Sequence, residues 1–254
     1  MSVARPFANA LRAEDPSARI LAVAGETIGP SIIGNYPGWY RIVLQGLAAD
    51  IHGLAIHNAY YPVMVNDQGE TVEQVYRALL AAPLQVKENL CQVDAQIRAH
   101  APAHADRLKL AITEWGPLFH IYPDSRWVDH VRTLGSALYA ASVLKVFIDD
   151  PRVEAANHFK LSDQIFMGML SSISKNPRAA YFAFQLFTRH FARNVVASST
   201  STPAFDARPA GWVDEIHGAP YVEALASRSD DGGKLYVMLI NKNLNANMPV
   251  DIRL

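Results

Sequence analysis

The chain has 254 residues, of which 50% are hydrophobic and 19% are charged, so it can bury a sizeable core in one or two domains. Its net charge is −1 and its charged residues are scattered, which argues against a nucleic-acid-binding or anionic-membrane-binding protein and favours a small uncharged ligand. The single cysteine, Cys91, excludes an intrachain disulfide and a cysteine-rich zinc site.

The first quarter of the chain predicts a helix, two strands and a second helix. Residues 3–11 repeat apolar side chains at helical spacing, and residues 19–24 form a short apolar run typical of a buried strand. Residues 25–38 are rich in Gly, Pro and Ser, as a loop is, and residues 39–47 predict a short amphipathic helix. Residues 51–56 predict the second strand. No signal peptide and no transmembrane segment is predicted, so the sequence does not assign a compartment.

The middle of the chain continues to alternate helices with strands. Residues 71–99 predict a long helix that Pro83 kinks or breaks in two. Residues 107–119 predict a strand, residues 127–148 a helix, and residues 153–161 a further strand. Strands separated by helices pair in parallel through right-handed crossovers, so the predicted class is α/β.

The pattern changes near residue 193. A last helix is predicted over residues 177–191, with Pro177 in its first turn. Three alternating segments follow without a helix between them, at residues 194–201, 221–228 and 234–242, and residues 230–233 supply a hairpin turn. A small antiparallel β domain is therefore predicted to begin at residue 193.

Polar and aromatic side chains gather where three of the predicted parallel strands end. The carboxyl ends of such strands are where functional groups collect in α/β sheets, so we predict a ligand site there. In chain order, the residues at these ends are His57, Asn58, Tyr60 and Tyr61, then Glu114, Trp115 and Gly116, then Asn157 and His158.

Glu114 is the strongest candidate for chemistry. It follows a buried strand and precedes Trp115, and indole faces are surfaces on which sugar rings stack. Gly116 and Pro117 bend the chain so that both side chains can face a pocket. Other interpretations stay open: a glutamate at a strand end can be solvated or cap the next helix, and the neighbouring histidines and tyrosines can be packing residues.

Other chemistries lack their usual patterns. No ligand spacing of His, Asp and Glu repeats a known metal set, so no metal is predicted. The sequence has no GxSxG motif, which is typical of acyl-transfer enzymes, and no GxGxxG motif, which is typical of dinucleotide-binding proteins, so neither function is predicted.

The segment ITEWG at residues 112–116, preceded by GLAIHNAYYP at 53–62 and DPSARILAVAG at 15–25, resembles the retaining glycosidases with a TIM barrel. It is most similar to the α-L-arabinofuranosidases of glycoside hydrolase family 51. Later segments follow the order that this family shows: AASVL, VEAANHFKL, NPRAAYFAFQLFTRHF, YVEALAS and KLYVMLINKN.

The resemblance implies a partial (β/α)8 TIM barrel, strands five to eight, over residues 1–192. Residues 193–254 would form the first part of an antiparallel β-sandwich, which is incomplete. We therefore expect a fragment that corresponds to the C-terminal half of the family's chain and lacks strands one to four. A sheet with an exposed edge at strand five favours association between copies, so a homo-oligomer is one expectation.

The resemblance also assigns roles. Glu114 would be the nucleophile, and either Tyr60 or Tyr61 would hydrogen-bond it and hold it ionised. Substrate would be bound by His57, Asn58, the two tyrosines, Trp115 and Asn157, with no metal or organic cofactor. The family's acid/base belongs to an Asn-Glu pair that this sequence lacks, and Glu26 is the nearest substitute.

The implied substrate is an arabinose-containing oligo- or polysaccharide. Two alternatives remain at this stage. One is another glycosidase of the same barrel type, acting on xylosides, glucuronides or β-glucans, and the other is a non-catalytic carbohydrate-binding protein.

Overall fold

The computed structural model describes residues 4–24, 36–57, 60, 69–163 and 167–253. The chain divides into two compact units. The first unit comprises Met1–Tyr61, Val86–Gly116 and Phe147–Phe159. The second comprises Pro62–Gln85, Pro117–Val146 and Lys160–Leu254.

The secondary structure is mixed. In chain order, the elements are α1 (Ala4–Glu14), β1 (Leu21–Val23), α2 (Trp39–Leu47), β2 (Gly53–Ile56), α3 (Val72–His100), a 3₁₀ turn (Pro102–His104), β3 (Lys109–Trp115), a second 3₁₀ turn (Val128–Arg132), α4 (Leu134–Asp149), β4 (Val153–His158), β5 (Ser162–Asp163), β6 (Leu170–Ser171), α5 (Ala179–His190), β7 (Asn194–Val196), β8 (Ala204–Ala207), β9 (Ile216–Pro220), β10 (Val222–Arg228) and β11 (Leu235–Asn241).

The first unit contains a four-stranded sheet in the order β1-β2-β3-β4, and every neighbouring pair is parallel. The predicted α/β class with parallel pairing is therefore confirmed. Leu54, Leu110 and Ile112 are fully buried in its core. Gly53 permits the close approach of β2 to β3, because a Cβ at this position would lie 2.0 Å from the Lys109 carbonyl oxygen. The described residues do not close this sheet into a barrel.

The predicted burial of the first strand is wrong. β1 is shorter than predicted, and Leu21 and Val23 are exposed. The reason is its position, because among the described residues β1 pairs with β2 alone and so lies at the edge of the sheet. The preceding helix α1 also exposes Phe7 and Leu11, two of the apolar residues whose spacing predicted it.

One helix prediction is narrowed and two need correction. α3 is one continuous helix with Pro83 inside it, which rules out the break into two helices and leaves the alternative of a kink. The helix predicted from residue 127 starts as the 3₁₀ turn, and α4 begins only at Leu134. α5 begins at Ala179 after the N-cap residue Arg178, so Pro177 precedes the helix.

The second unit contains antiparallel sheets. The three predicted strands are present as β7, β10 and β11, with β10 and β11 paired as the predicted hairpin. They form one sheet in the order β11-β10-β7, while the separate pair β8 and β9 was not predicted. One core cluster joins β8 and β9 to α3 through Phe205, Ala219 and Leu80. A buried ion pair links β10 to the residue that follows β11, with Lys242 Nζ 3.0 Å from Glu223 Oε1.

Candidate active site

The first unit brings the ends of β2 and β3 side by side. The two strands pair in parallel with Ile56 opposite Ile112. The residues that follow, His57 and Thr113, therefore leave the ladder next to one another. His57 Nδ1 lies 3.0 Å from the Thr113 hydroxyl oxygen. The pairing of β2 with β3 therefore brings the imidazole within hydrogen-bond distance of this hydroxyl.

Glu114 contacts the other nitrogen of the same ring. His57 Nε2 lies 2.8 Å from Glu114 Oε2, a hydrogen-bond distance. The Glu114 side chain is 19% exposed and the His57 side chain 43% exposed, so the pair is reachable by a ligand while one side of it rests on the sheet. The structure thus brings together two of the residues that the sequence predicted for the site.

An irregularity in β3 explains how two consecutive side chains face one histidine. In a regular strand, Thr113 and Glu114 would point to opposite faces. Along the β3–β4 ladder, Ile112 pairs with Ala156 and Trp115 with His158, so three steps on β3 match two on β4. The extra residue is a bulge, which lets Thr113 and Glu114 both reach His57.

Tyr60 lies in the core of the unit and its hydroxyl donates to Asn89 Oδ1 at 2.8 Å. The hydroxyl group of tyrosine has one hydrogen. In this structure Tyr60 donates that hydrogen to the Asn89 side-chain oxygen rather than to Glu114. Sequence reasoning missed Asn89. A signal was present, because Asn89 follows Val86 by three residues and precedes Val93 by four, which places a polar amide on the apolar stripe of α3.

Trp115 is fully buried. Its ring meets Phe147 edge-on with centroids 5.2 Å apart, and His158 edge-on with centroids 5.0 Å apart. Stacking on a sugar needs an open indole face, and a fully buried ring has none. The structure therefore places Trp115 in the core behind Glu114, where it supports the strand end.

The end of β4 contributes an exposed residue and a partly exposed one. Asn157 is exposed, and His158 is partly exposed while both of its ring nitrogens are buried. Burial of the ring lowers the pKa of His158 to about 4, so this imidazole is neutral at neutral pH. Gly116 lets the chain after β3 run close to β4, because a Cβ there would lie 2.9 Å from the Phe159 carbonyl oxygen. Asn157 shares the rim with the His57–Glu114 pair through the order of the strands, β2-β3-β4.

Three predicted residues lie outside the described part of the chain. They are Asn58 and Tyr61, which follow β2, and Glu26, which follows β1. Their predicted roles therefore stay predictions.

A second histidine–glutamate pair lies at the opposite end of the same sheet. His52, just before β2, places Nε2 2.6 Å from Glu154 Oε2, and the Arg19 guanidinium lies 3.0 Å from the same oxygen. The hydrogen bond from His52 is the largest cause that holds the pKa of Glu154 below its ordinary value, and the charges of Arg19 and Lys109 act in the same direction.

Among the residues that the structure describes, no group of three or more His, Cys, Asp or Glu side chains is placed to hold a metal ion. Nor does any helix in this described part have the length and apolar composition needed to cross a membrane.

No protein-family profile and no curated protein matches the sequence. Solved structures do match it. An α-L-arabinofuranosidase from Thermotoga maritima, solved in complex with arabinose, superposes with a TM-score of 0.72 at 21% sequence identity. The superposition covers 93% of this chain and 46% of the other. The chain has the fold of about half of such an enzyme.

A GH51 α-L-arabinofuranosidase from Thermotoga petrophila superposes with a TM-score of 0.71 at 21% sequence identity, over 93% of this chain and 46% of the arabinofuranosidase. A glucosidase from Croceicoccus marinus superposes with a TM-score of 0.58 at 16% sequence identity, over 93% of this chain and 42% of the glucosidase. The resemblance to GH51 arabinofuranosidases is therefore confirmed for the fold, and these identities carry no residue's role. Roles have to be argued from the site itself.

Proposed function

We propose that this chain is the nucleophile-bearing part of a retaining glycoside hydrolase of the α-L-arabinofuranosidase type, with Glu114 as the nucleophile. The observation that carries the proposal is the Glu114 carboxylate at the carboxyl end of a parallel strand, accessible and held by His57 at 2.8 Å. Parallel α/β sheets place their reactive groups at this end.

We further propose that β1 to β4 are strands five to eight of an eight-stranded barrel. Support comes from the second histidine–glutamate pair: Arg19 precedes β1 and Glu154 lies on β4, yet their side chains meet at 3.0 Å across the two strands between them. Long side chains of the two outer strands meet more readily when the sheet curves, as it does in a barrel, so this contact is consistent with the proposal. The barrel part at residues 1–192, the β-sandwich part at 193–254 and the association of copies through an open edge stay predictions.

The proposed reaction has two steps. Glu114 attacks the anomeric carbon of the sugar, an ester bond forms between carboxylate and sugar, and the bond from that carbon to the leaving oxygen breaks. A water molecule then attacks the same carbon, gives a proton to the carboxylate that acted as the acid in the first step, and releases the Glu114 carboxylate. The contact with His57 keeps the carboxylate oriented in both steps, which saves the cost of ordering it during the reaction.

The leaving oxygen needs a proton from a second carboxylic acid about 5–5.5 Å from the nucleophile. Since the sequence has no Asn-Glu pair, we propose that this acid belongs to a part of the barrel outside this chain. Within the chain, Glu26 is the nearest candidate. The chain alone is then expected to leave unactivated arabinosides intact.

We propose terminal arabinofuranosyl groups as the substrate. Support comes from the neighbouring structures, one of which was solved with arabinose. The glucosidase neighbour favours a second candidate, a glycosidase of the same fold that acts on a glucoside or another pyranoside. A carbohydrate-binding protein without turnover is the third candidate, because likeness in fold does not establish turnover.

An activated substrate tests these candidates, because a leaving group such as 2,4-dinitrophenolate departs without a proton. The chain is mixed with the dinitrophenyl α-L-arabinofuranoside, β-D-xyloside and β-D-glucoside in turn, and dinitrophenolate release and intact protein mass are measured. We expect release and a glycosyl adduct on Glu114 with the arabinofuranoside. Glu114→Gln should lower release by at least ~10³-fold, because the amide is a poor nucleophile.

Glu154→Gln is the matched control, since it also changes a glutamate that contacts a histidine in the same sheet. It should leave the adduct yield unchanged. An adduct formed equally well by Glu114→Gln would remove Glu114 from the mechanism. Preference for the glucoside or xyloside would select the second candidate, and sugar binding without any release would select the non-catalytic protein.

A further inference from the structure

The hydroxyl of Thr113 stands between two groups of β2. Its oxygen lies 3.0 Å from the Ile56 carbonyl oxygen and 3.0 Å from His57 Nδ1. A carbonyl oxygen can only accept a hydrogen bond, so the single hydroxyl hydrogen of Thr113 is donated to Ile56. The bond to the imidazole must then run the other way, with His57 Nδ1–H donating to the Thr113 oxygen.

The other ring nitrogen faces a carboxylate oxygen. His57 Nε2 and Glu114 Oε2 are 2.8 Å apart, and two lone pairs at this distance repel each other unless a hydrogen lies between them. With Nδ1 already protonated, this hydrogen makes the ring an imidazolium beside an ionised Glu114, or else it resides on Glu114. In both arrangements the pair holds one proton more than a neutral imidazole and a carboxylate together.

We propose that Thr113 is a positioning residue that keeps Nδ1 of His57 protonated, so that the opposite nitrogen and Glu114 share a proton. The catalytic meaning of this arrangement rests on the proposed function: the shared proton balances the charge of the nucleophile before attack and after its release. For attack, the shared proton has to be on Nε2 so that Glu114 is ionised, and it stays on Nε2 while the carbon–oxygen bonds form and break.

A purely structural threonine can be distinguished from this role. If Thr113 only bonded the Ile56 carbonyl, replacing its hydroxyl would alter stability and leave the protonation of the ring unchanged. The ring is therefore the readout. Thr113→Val keeps the shape of the side chain and removes both hydrogen bonds, while Thr113→Ser keeps the hydroxyl and is the conservative rescue.

The experiment uses the chain with ¹⁵N-labelled histidine at neutral pH. Two-bond correlations from the carbon-bound ring hydrogens report whether each nitrogen is protonated, and His57→Gln identifies the His57 signals. We expect Nδ1 to be protonated in the natural protein and in Thr113→Ser. In Thr113→Val we expect Nδ1 to lose its proton and the neutral ring to carry its hydrogen on Nε2, directed at Glu114.

Glu114→Gln provides a second test that does not depend on the folding of Thr113→Val. The amide of glutamine can donate to Nε2, so we expect a neutral ring whose only hydrogen is on Nδ1. An unprotonated Nδ1 in the natural protein, an unchanged ring in a folded Thr113→Val, or a hydrogen on Nε2 alone in Glu114→Gln would overturn the proposal. Because no sugar is present, failure of the sugar-labelling experiment and failure of this one are separate results.

Discussion

β2 has a histidine–glutamate pair at each of its ends, and the two pairs are built differently. At the carboxyl end, His57 contacts Glu114 at 2.8 Å beside a neutral threonine hydroxyl. At the amino end, His52 contacts Glu154 at 2.6 Å, and Glu154 also binds the guanidinium of Arg19. The same two residue types therefore serve two different environments within one sheet.

The pair at Glu154 also contains a guanidinium, whereas the pair at Glu114 carries the proposed nucleophile. Arg19, His52 and Glu154 form a cluster of charged and polar groups, and we expect this cluster to act on stability. In barrels, the amino ends of the strands serve stability and the carboxyl ends serve chemistry. Changes at the two ends should therefore separate loss of chemistry from loss of stability, and the largest effect on chemistry is expected for the Glu114 substitution proposed above.

The largest effect on stability is expected at Trp115, directly behind the His57–Glu114 pair. Trp115→Ala removes a fully buried ring that packs against Phe147 and His158, so it should lower the free energy of unfolding by about 3–5 kcal/mol. Urea denaturation measures this change. Trp39→Ala is the comparison: this residue is 37% exposed and its indole N–H donates to the Val23 carbonyl oxygen at 2.8 Å, so a smaller loss than for Trp115 is expected there.

Equal losses for the two tryptophans would contradict the assignment of Trp115 to the core. A small loss for Trp115 together with weaker sugar binding would instead restore the indole as a surface for the ligand.

A second effect should appear when the pH falls. The pKa of His158 is lowered by burial to about 4 from its ordinary 6.5, so the unfolded chain binds a proton in this window that the folded protein does not. Stability should therefore decrease as the pH falls from about 6.5 to about 4, by about 3 kcal/mol for this residue.

The measurement is urea denaturation at several pH values, and His158→Phe is the comparison because it cannot titrate. Other groups titrate in the same range, so the difference between the two proteins is the quantity of interest. Stability curves that stay parallel from pH 6.5 to 4 would show that His158 does not stay neutral in the folded protein.

Much of the sheet could be predicted from the sequence, because hydrophobic runs report burial and spacing reports the type of element. β2, β3 and β4 were predicted at or within a few residues of their observed bounds. β1 was predicted as buried, and it is exposed. A short apolar run does not reveal whether a strand lies in the middle or at the edge of a sheet, since that depends on which strands pair with it.

The candidate site could be predicted in part. Strand ends are visible in the sequence, so Glu114 and His57 were predicted to share one rim, and the structure places them in contact. The burial of Trp115 and the partner of Tyr60 were not visible. Both depend on the bulge in β3 and on helix packing, which involve residues far apart in the chain and leave no local pattern.

The smallest effect is expected at the amino end of β2, and it completes the comparison. Glu154→Gln removes the charge that Arg19 and His52 bind, so it should lower the free energy of unfolding at pH 7 by about 0.5–1 kcal/mol, the range of partly exposed ion pairs. Added salt should reduce the difference, because it screens these charges.

The pH dependence of this loss has a definite sign. Since the pKa of Glu154 is lowered in the folded protein, its carboxylate stabilises the fold above the ordinary value of 4.5, and this contribution disappears as the pH falls through the lowered value. Urea denaturation of Glu154→Gln should therefore approach that of the natural protein at acidic pH. At neutral pH, Glu114→Gln should abolish sugar labelling, whereas Glu154→Gln should leave it unchanged. If both substitutions reduced labelling to the same degree, the two ends of β2 would not differ in role, and the proposed distinction between a structural pair and a catalytic pair would have to be abandoned.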